Sequence, residues 1–224
     1  MASRFKQNSA ILFDLDGTLL DTAPDLTAAV NHARETLMAR SPLSVDELRP
    51  IVAQGTRAMV DYATAGDTSI SVREEFREQM LAYYANHLAD FTAPFDGISE
   101  ILDYLDSRQR PWAVVTNKLS EYALPILDSL NLSARAGSIV CADMVDKPKP
   151  APDALLLAAK QLNLAPNTCA YVGDSRGDMQ AAQQAGMLAI AAEWGYLPTD
   201  DAIDDWPFDL SFADPHALSE WISQ

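Results

Sequence analysis

The sequence has little that would bind zinc, form disulfides or cross a membrane. It contains two cysteines and three histidines in 224 residues, and His32, His87 and His216 lack the spacing of a metal-binding motif. Because Cys141 and Cys169 each lie in an apolar, strand-like run, we expect buried free thiols and a reducing, cytoplasmic environment. No apolar run approaches the length of a membrane-spanning helix, so we expect neither a membrane anchor nor a targeting segment.

Basic residues are scarce as well. The chain has 16 lysines and arginines against 32 aspartates and glutamates, which gives a formal net charge of -16 at pH 7. Such a charge repels nucleic acid and anionic membrane surfaces, so neither is an expected partner. An anionic small molecule can bind only where the site supplies local positive charge from a metal ion, a few basic side chains or helix N-termini.

What the sequence does have is the pattern of an α/β protein. Hydrophobic residues make up 48% of the chain and charged residues 21%, as in ordinary globular proteins. Short aliphatic runs predict five β-strands, at residues 11–13, 112–115, 138–141, 169–172 and 188–191. Segments with helical periodicity lie between them, for example residues 97–110 and 153–163. This alternation predicts a Rossmann-like, doubly wound parallel sheet with helices on both faces.

The long interval between the first two strands predicts an inserted domain. About a hundred residues separate these strands, far more than a crossover connection needs. The interval contains only helical patterns, and Ser-x-x-Glu capping boxes that begin at Ser44 and Ser71 mark two helix starts. We therefore predict an α-helical cap domain at residues 22–93, inserted into a core domain formed by residues 1–21 and 94–224.

Polar side chains follow four of the predicted strands. They are, in chain order, Asp14 and Asp16, Thr116, Lys149, and Asp174 and Asp178. Ligands of open parallel sheets bind beyond the carboxyl ends of the strands, so we expect these side chains to converge on one rim. Carboxylates without histidine favour magnesium, which prefers oxygen ligands, and a lysine with a hydroxyl suits a phosphate. The rim is therefore predicted to bind a divalent cation and a phosphate.

These motifs resemble those of the haloacid dehalogenase (HAD) superfamily, and specifically its phosphoglycolate phosphatase-like branch with a helical cap. The first motif of that family stands here as Asp14-Leu15-Asp16-Gly17-Thr18 and the second as Thr116 in Val-Val-Thr-Asn. The third is Lys149 followed by proline, and the fourth is the Gly-Asp-Ser-Arg-Gly-Asp sequence at residues 173–178. All four motifs occur in order, and the resemblance spans nearly the whole chain.

The resemblance implies a magnesium-dependent phosphomonoesterase of the cytoplasm that works through an aspartyl-phosphate. Asp14 would attack phosphorus, and Asp16 would protonate the leaving oxygen and later activate the hydrolytic water. Magnesium would bind the Asp14 and Asp174 carboxylates and the backbone carbonyl of Asp16. Asp178 would complete this metal group through water or by orienting Lys149.

The resemblance also implies which residues bind the substrate. Thr116, Asn117 and Lys149 would bind the phosphoryl oxygens; Lys149 is preferred to Lys147 because only its following residues fit the family pattern. In the cap, Gly55 separates two helices and places Arg57 at an exposed turn, where it is either a clamp for a substrate carboxylate or a solvated arginine. The segment Trp-Gly-Tyr at residues 194–196 could line the pocket or pack at the sheet edge.

Two substrates fit this branch, 2-phosphoglycolate and N-acetylmuramic acid 6-phosphate, and both are small phosphorylated carboxylates. Residues 55–60 and 194–198, with Trp206, look more like the N-acetylmuramic acid 6-phosphate phosphatases. Asp16 argues against a dehalogenase, which lacks a second aspartate there. A phosphosugar mutase and a non-catalytic, receiver-like phosphate-binding module remain as alternatives, and both a monomer and a homodimer are open.

Overall fold

The predicted strands form one parallel sheet. The computed structural model describes residues 9–65, 69–199 and 201–224. Its strands are β1 (Ala10–Phe13), β2 (Leu20–Asp21), β3 (Ala93–Pro94), β4 (Trp112–Val115), β5 (Ser138–Val140), β6 (Cys169–Gly173), β7 (Leu188–Ala192) and β8 (Leu210–Phe212). All except β2 and β3 lie in a single sheet in the order β5-β4-β1-β6-β7-β8, and each neighbouring pair is parallel.

Helices connect these strands and cover the sheet. They are α1 (Ala23–Met38), α2 (Val45–Val52), α3 (Thr56–Ala63), α4 (Ile70–Asn86), α5 (Ile98–Ser107), α6 (Ser120–Ser129), α7 (Asp153–Gln161), α8 (Arg176–Ala185) and α9 (Pro215–Ser223). Within the described part of the chain, no helix combines the length and the apolar character needed to cross a membrane.

The sheet is buried on both faces, as the continuous apolar runs predict. Strands β1, β4 and β6 are buried at every position. Successive side chains of a strand point to opposite faces, so Ile11 and Phe13 join one core cluster while Ala10 and Leu12 join another. The first cluster includes residues of α5, α6 and α9, and the second includes residues of α7 and α8. The predicted doubly wound α/β fold is confirmed.

The predicted strands and thiols are found, but two local predictions were wrong. The short edge strand β8 was missed because its three residues lie in a segment rich in aspartate and proline. The Ser44 capping box is present, whereas Ser71 lies inside α4, which begins at Ile70 after Ser69. Both cysteines are buried free thiols.

The two connections between the sheet and the helices α1–α4 run side by side. Leu20 pairs with Pro94 and Asp21 with Ala93 in an antiparallel two-stranded ladder, β2 with β3. This ladder follows β1 closely, so it holds the inserted helices over the carboxyl end of the central strand. The predicted boundaries at residues 21 and 94 fall in this ladder, and a separate cap domain at residues 22–93 stays a prediction.

Asp25 fastens the second connection to the first helix of the insertion. Its buried carboxylate, in the first turn of α1, accepts hydrogen bonds from the backbone N–H of Phe91 (3.0 Å) and Thr92 (2.8 Å) and from Thr92 Oγ1 (2.6 Å). A carboxylate at a helix N-terminus is also favoured by the helix dipole. Asp25 therefore fixes where the chain leaves the helices and returns to the sheet.

We expect Asp25→Ala to lower the free energy of unfolding by about 3 kcal/mol, because it leaves buried backbone donors without a partner. Urea denaturation measures the change. Asp90→Ala is the matched control, since that carboxylate is 53% exposed and pairs with the side chain of His87 at the surface, and it should change stability by less than about 0.5 kcal/mol. Equal stability of the two variants would contradict the proposed role of Asp25.

Candidate active site

The carboxyl ends of β1, β4 and β6 open into one pocket of about 330 Å³. Most of the residues predicted from the sequence line it, namely Asp14, Asp16, Gly55, Thr116, Asn117, Lys149 and Asp174. Asp178 is fully buried at the start of α8. Arg57 is exposed on α3 and is not among the described residues that line the pocket. The roles of all these residues in catalysis and binding stay predictions.

Three buried aspartates form a cluster at the base of the pocket. Each of Asp14, Asp174 and Asp178 offers a carboxylate oxygen, and these oxygens lie within 4.8 Å of one another. Asp14 follows β1, and the other two follow β6, the neighbouring strand, so the sheet register itself brings them together. An all-oxygen, negatively charged donor set of this kind fits a hard divalent cation.

Lys149 supplies the positive charge for this cluster. Its Nζ lies 2.8 Å from Asp14 Oδ1 and 2.7 Å from Asp178 Oδ1, and it donates to the hydroxyl of Tyr171 at 2.8 Å. Burial by itself would lower the pKa of Lys149, but the attraction of the two carboxylates outweighs it and holds the pKa above its ordinary value. Lys149 is therefore a charged ammonium inside the protein, whereas Lys147 is exposed.

The cluster carries more negative charge than Lys149 can offset. Burial raises the pKa of Asp14 from 3.8 to about 7, with Lys149 opposing this shift and Asp178 adding to it. Burial also raises the pKa of Asp174 well above its usual range, and the charges of Asp14 and Asp178 raise it further. Because the charged forms of these carboxyls are disfavoured, a bound cation would stabilise them.

The fourth acidic side chain, Asp16, stands apart from this cluster. Its carboxylate accepts hydrogen bonds from Lys118 Nζ at 2.9 and 3.2 Å and from Thr22 Oγ1 at 2.6 Å. Lys118 Nζ lies 5.0 Å from the ring centroid of Tyr84 on α4. The sequence interpretation missed Lys118, although its place two residues after Thr116, at the end of β4, is a signal that could have identified it.

Asp174 is held by the loop after β7 and by the first motif. Tyr196 N–H donates to Asp174 Oδ2 at 2.7 Å, and Thr18 Oγ1 donates to Oδ1 at 3.2 Å. Gly17 adopts φ +81°, and a Cβ there would lie 2.1 Å from Asp174 Oδ2, so the glycine of the motif is required by this close approach. Tyr196 lines the pocket although it is almost fully buried.

The residues after β4 act on the site through the backbone. The Asn117 side chain donates to the Lys149 carbonyl oxygen at 2.9 Å and accepts from the Lys149 N–H at 3.0 Å. Thr116 Oγ1 accepts the N–H of Lys118 at 3.1 Å. Asn117 thus fixes the segment that carries Lys149, and its predicted contact with a phosphate stays a prediction.

A doubly wound sheet that gathers aspartates and one lysine at its strand ends, beneath inserted helices, is the arrangement of a haloacid dehalogenase-type hydrolase. Residues 11–192 match the family described as haloacid dehalogenase-like hydrolase, and the chain belongs to this family. The family and fold class predicted from the sequence are confirmed.

Relatives with similar sequences and structures are named as phosphatases. The chain is 36% identical over 215 residues to the N-acetylmuramic acid 6-phosphate phosphatase of Pseudomonas aeruginosa, covering 96% of this chain and 95% of the relative. It is 36% identical over 209 residues to the phosphoglycolate phosphatase of Xylella fastidiosa, covering 93% and 90%. The crystal structure of a predicted phosphoglycolate phosphatase from Haemophilus somnus has a TM-score of 0.84 at 25% identity, covering 98% and 99%. These names agree with the predicted enzyme class, a phosphoric monoester hydrolase.

We expect Asp14→Asn to stabilise the protein at about pH 8 in the absence of divalent cations. The folded-state pKa of Asp14, about 7, lies above its ordinary value of 3.8, so ionisation of this carboxyl removes stability as the pH rises through this interval. The variant lacks that ionisable group, so its melting temperature should exceed that of the wild type at about pH 8 and the gap should shrink near pH 5.

Asp96→Asn is the matched control for this comparison, because Asp96 is 98% exposed and lies outside the cluster. Added magnesium should raise the melting temperature of the wild type much more than that of Asp14→Asn. A gap that does not depend on pH, or equal stabilisation by magnesium, would contradict the description of the cluster.

We expect Lys118→Met to lower kcat for a phosphate ester by about 100-fold, because Asp16 loses the partner that orients it. The effect should fall mainly on kcat, and steady-state kinetics with released phosphate as the readout would measure it. Lys147→Met removes an exposed lysine and serves as the control. If both variants turn over like the wild type, Lys118 does not position Asp16.

Proposed function

We propose that the protein is a magnesium-dependent phosphatase that hydrolyses a small phosphorylated carboxylate through an aspartyl-phosphate at Asp14. The observation that carries the proposal is the placement of Asp14. Its carboxylate lines the pocket, lies 2.8 Å from the Lys149 ammonium, and belongs to the three-aspartate cluster. A side chain that attacks phosphorus must face the substrate while cations withdraw charge from the phosphoryl oxygens.

In the first step, an oxygen of Asp14 forms a bond to phosphorus and the bond from phosphorus to the ester oxygen breaks. Asp14 Oδ1 accepts hydrogen bonds from the Leu15 N–H at 2.7 Å and contacts Lys149 at 2.8 Å, so these two donors fix the orientation of the carboxylate. Asp16 gives its proton to the leaving alcohol oxygen. The products are the free alcohol and the aspartyl-phosphate.

In the second step, water attacks the phosphorus of the aspartyl-phosphate and Asp16 takes a proton from that water. The acyl-phosphate bond breaks, inorganic phosphate leaves, and the Asp14 carboxylate is restored. Lys118 and Thr22 hold Asp16 on the pocket side of the first motif, where it can serve both steps. Lys149 stays beside Asp14 throughout and faces the negative charge of the phosphoryl group.

The cofactor that fits the cluster is magnesium. The carboxylates of Asp14 and Asp174 and the backbone carbonyl of Asp16 would hold it, with Asp178 acting through water or by orienting Lys149. When bound, magnesium supplies positive charge that offsets the carboxylates and the phosphoryl oxygens. The buried, all-oxygen donor set and the raised pKa values of Asp14 and Asp174 support this assignment.

Among the substrates named by the relatives, N-acetylmuramic acid 6-phosphate fits the pocket better than 2-phosphoglycolate. Much of the wall that the inserted helices contribute is apolar, and it is formed by Leu26, Val52, Met59 and Leu81. A two-carbon acid would leave much of a cavity of about 330 Å³ unfilled, whereas a substituted sugar ring would contact this wall. The two buried thiols support a cytoplasmic setting for such metabolism.

The two alternatives predict different products. A phosphosugar mutase would convert one phosphate ester into another and release little free phosphate, and a receiver-like module would show no turnover. The pocket favours an enzyme, because the inserted helices and the strand ends enclose the same cavity. Water needs to reach Asp16 for hydrolysis, and its carboxylate is 24% exposed.

The test is release of phosphate from a panel that contains both named esters and para-nitrophenyl phosphate, with magnesium and with EDTA. We expect one phosphate per ester consumed, loss of activity in EDTA, and at least about a 10³-fold loss in Asp14→Asn. Asp96→Asn should retain full activity. Turnover that persists in Asp14→Asn, or an isomeric phosphate as the main product, would contradict the proposed function.

A further inference from the structure

We infer that Arg77 of α4 binds the carboxylate of the substrate and thereby selects a phosphorylated sugar acid over the corresponding neutral ester. The inference rests on the proposed phosphatase function and goes beyond it by assigning the residue that recognises the end of the substrate remote from phosphorus.

Arg77 differs from the other cations of the pocket in having no carboxylate partner among the described residues. Lys149 is paired with Asp14, and Lys118 is paired with Asp16. Among the described residues that line the pocket, Arg77 is the one cation without an ion pair. An unpaired guanidinium in a binding pocket is suited to a ligand carboxylate, which it can bind through two parallel hydrogen bonds.

Other arginines of the inserted helices are engaged elsewhere. Arg49 lies 2.9 Å from Asp21, and Arg73 lies 3.0 Å from Asp61. Arg73 is only one helical turn before Arg77 on α4, so the contrast arises on a single helix. On this helix, Arg73 pairs with an aspartate of α3, whereas Arg77 lines the pocket.

The position of Arg77 is set by the face that α4 turns towards the pocket. Arg77, Leu81 and Tyr84 all line the cavity, and their spacing of four and three residues is that of one helix face. Tyr84 marks the catalytic end of this face, since Lys118 Nζ lies 5.0 Å from its ring and 2.9 Å from Asp16. Seven residues of helix separate Arg77 from Tyr84, which is roughly 10 Å along the axis.

This separation favours one substrate class. Helical side chains lean towards the helix N-terminus, and because Arg77 and Tyr84 lean the same way, their side chains stay separated by about the rise between them. In a two-carbon acid the phosphate and the carboxylate lie too close together to reach both Asp14 and Arg77. A sugar ring between the two anionic groups spans the distance, and Leu81 lies between Arg77 and Tyr84 where such a ring would pass.

An acidic residue, Glu121, also lies near Arg77. Glu121 of α6 also lines the pocket, but Arg77 and Glu121 form no ion pair among the described residues. Both residues influence the pKa of the Tyr122 hydroxyl. Burial is the main cause of its raised pKa, the charge of Glu121 raises it further, and the charge of Arg77 lowers it. Glu121 and Arg77 are therefore near the same ring. The negative charge of Glu121 would oppose the binding of a substrate carboxylate, and Arg77 would have to outweigh it.

The sequence suggested Arg57 for this role, so Arg57→Met is the rival arm of the test. Both arginines are exposed side chains of the inserted helices, but only Arg77 lines the pocket. We would compare Arg77→Met with Arg57→Met, and with the exposed control Arg108→Met, on N-acetylmuramic acid 6-phosphate and on N-acetylglucosamine 6-phosphate, which lacks the lactyl group that carries the carboxylate. Arg77→Lys tests whether two parallel hydrogen bonds are needed, and melting temperatures check the fold of each variant.

We expect Arg77→Met to lower kcat/KM for N-acetylmuramic acid 6-phosphate by about 100-fold and for the neutral sugar phosphate by less than about threefold. Arg77→Lys should fall between these values, Arg57→Met should show no selective loss on the sugar acid, and the control Arg108→Met should leave both values unchanged. The inference would be overturned if Arg77→Met lost equally on both esters or lost nothing. It would also be overturned by a selective loss in Arg57→Met, or by a wild type that hydrolyses 2-phosphoglycolate alone. In each of these cases the phosphatase function stands. Failure of the wild type to release phosphate from any ester, para-nitrophenyl phosphate included, would overturn both.

Discussion

The buried ion pairs of Lys149 are the interaction on which the site depends. The chain carries a net charge of -16, and its sheet brings three buried aspartates together at one edge. Taking such charges out of water costs several kcal/mol per ion unless they are paired and hydrogen-bonded. Lys149 contacts Asp14 and Asp178 directly, and its own backbone is fixed by Asn117. The negative charge that Lys149 does not offset favours the binding of a cation, and the cation in turn would attract a phosphate.

The same contacts build the fold around the site. Asp178 pairs with Lys149 and also forms a capping box with Ser175 at the start of α8. The same carboxylate therefore stabilises the helix N-terminus and the ion pairs of the site. Tyr196 binds Asp174 through its N–H, while its hydroxyl accepts from the Ala23 N–H at the start of α1. The base of the pocket is thus tied to the first helix of the insertion.

Residues with strong local signals were predictable from the sequence. The first motif directly follows an apolar run. Its closeness in space to Asp174 follows from parallel strands whose carboxyl ends lie at the same edge of the sheet. Lys118 was overlooked although its place after β4 was a signal, whereas Arg77 lies within a helix and its sequence position gives no sign that it faces a pocket. Their roles depend on the register of β4 against β1 and on which face of α4 packs inward, which tertiary contacts decide.

Asp14 is the proposed nucleophile, and trapping the aspartyl-phosphate would show whether it attacks phosphorus. In Asp16→Asn, para-nitrophenyl phosphate needs no acid to release its alcohol, but the second step lacks its base, so the phosphoenzyme should accumulate. Acid quenching and borohydride reduction would then convert the phosphorylated aspartate to homoserine, which peptide mass spectrometry locates. We expect homoserine at position 14, with Asp174 and Asp178 unmodified. Release of nitrophenol without a modified residue, or modification of another aspartate, would contradict it.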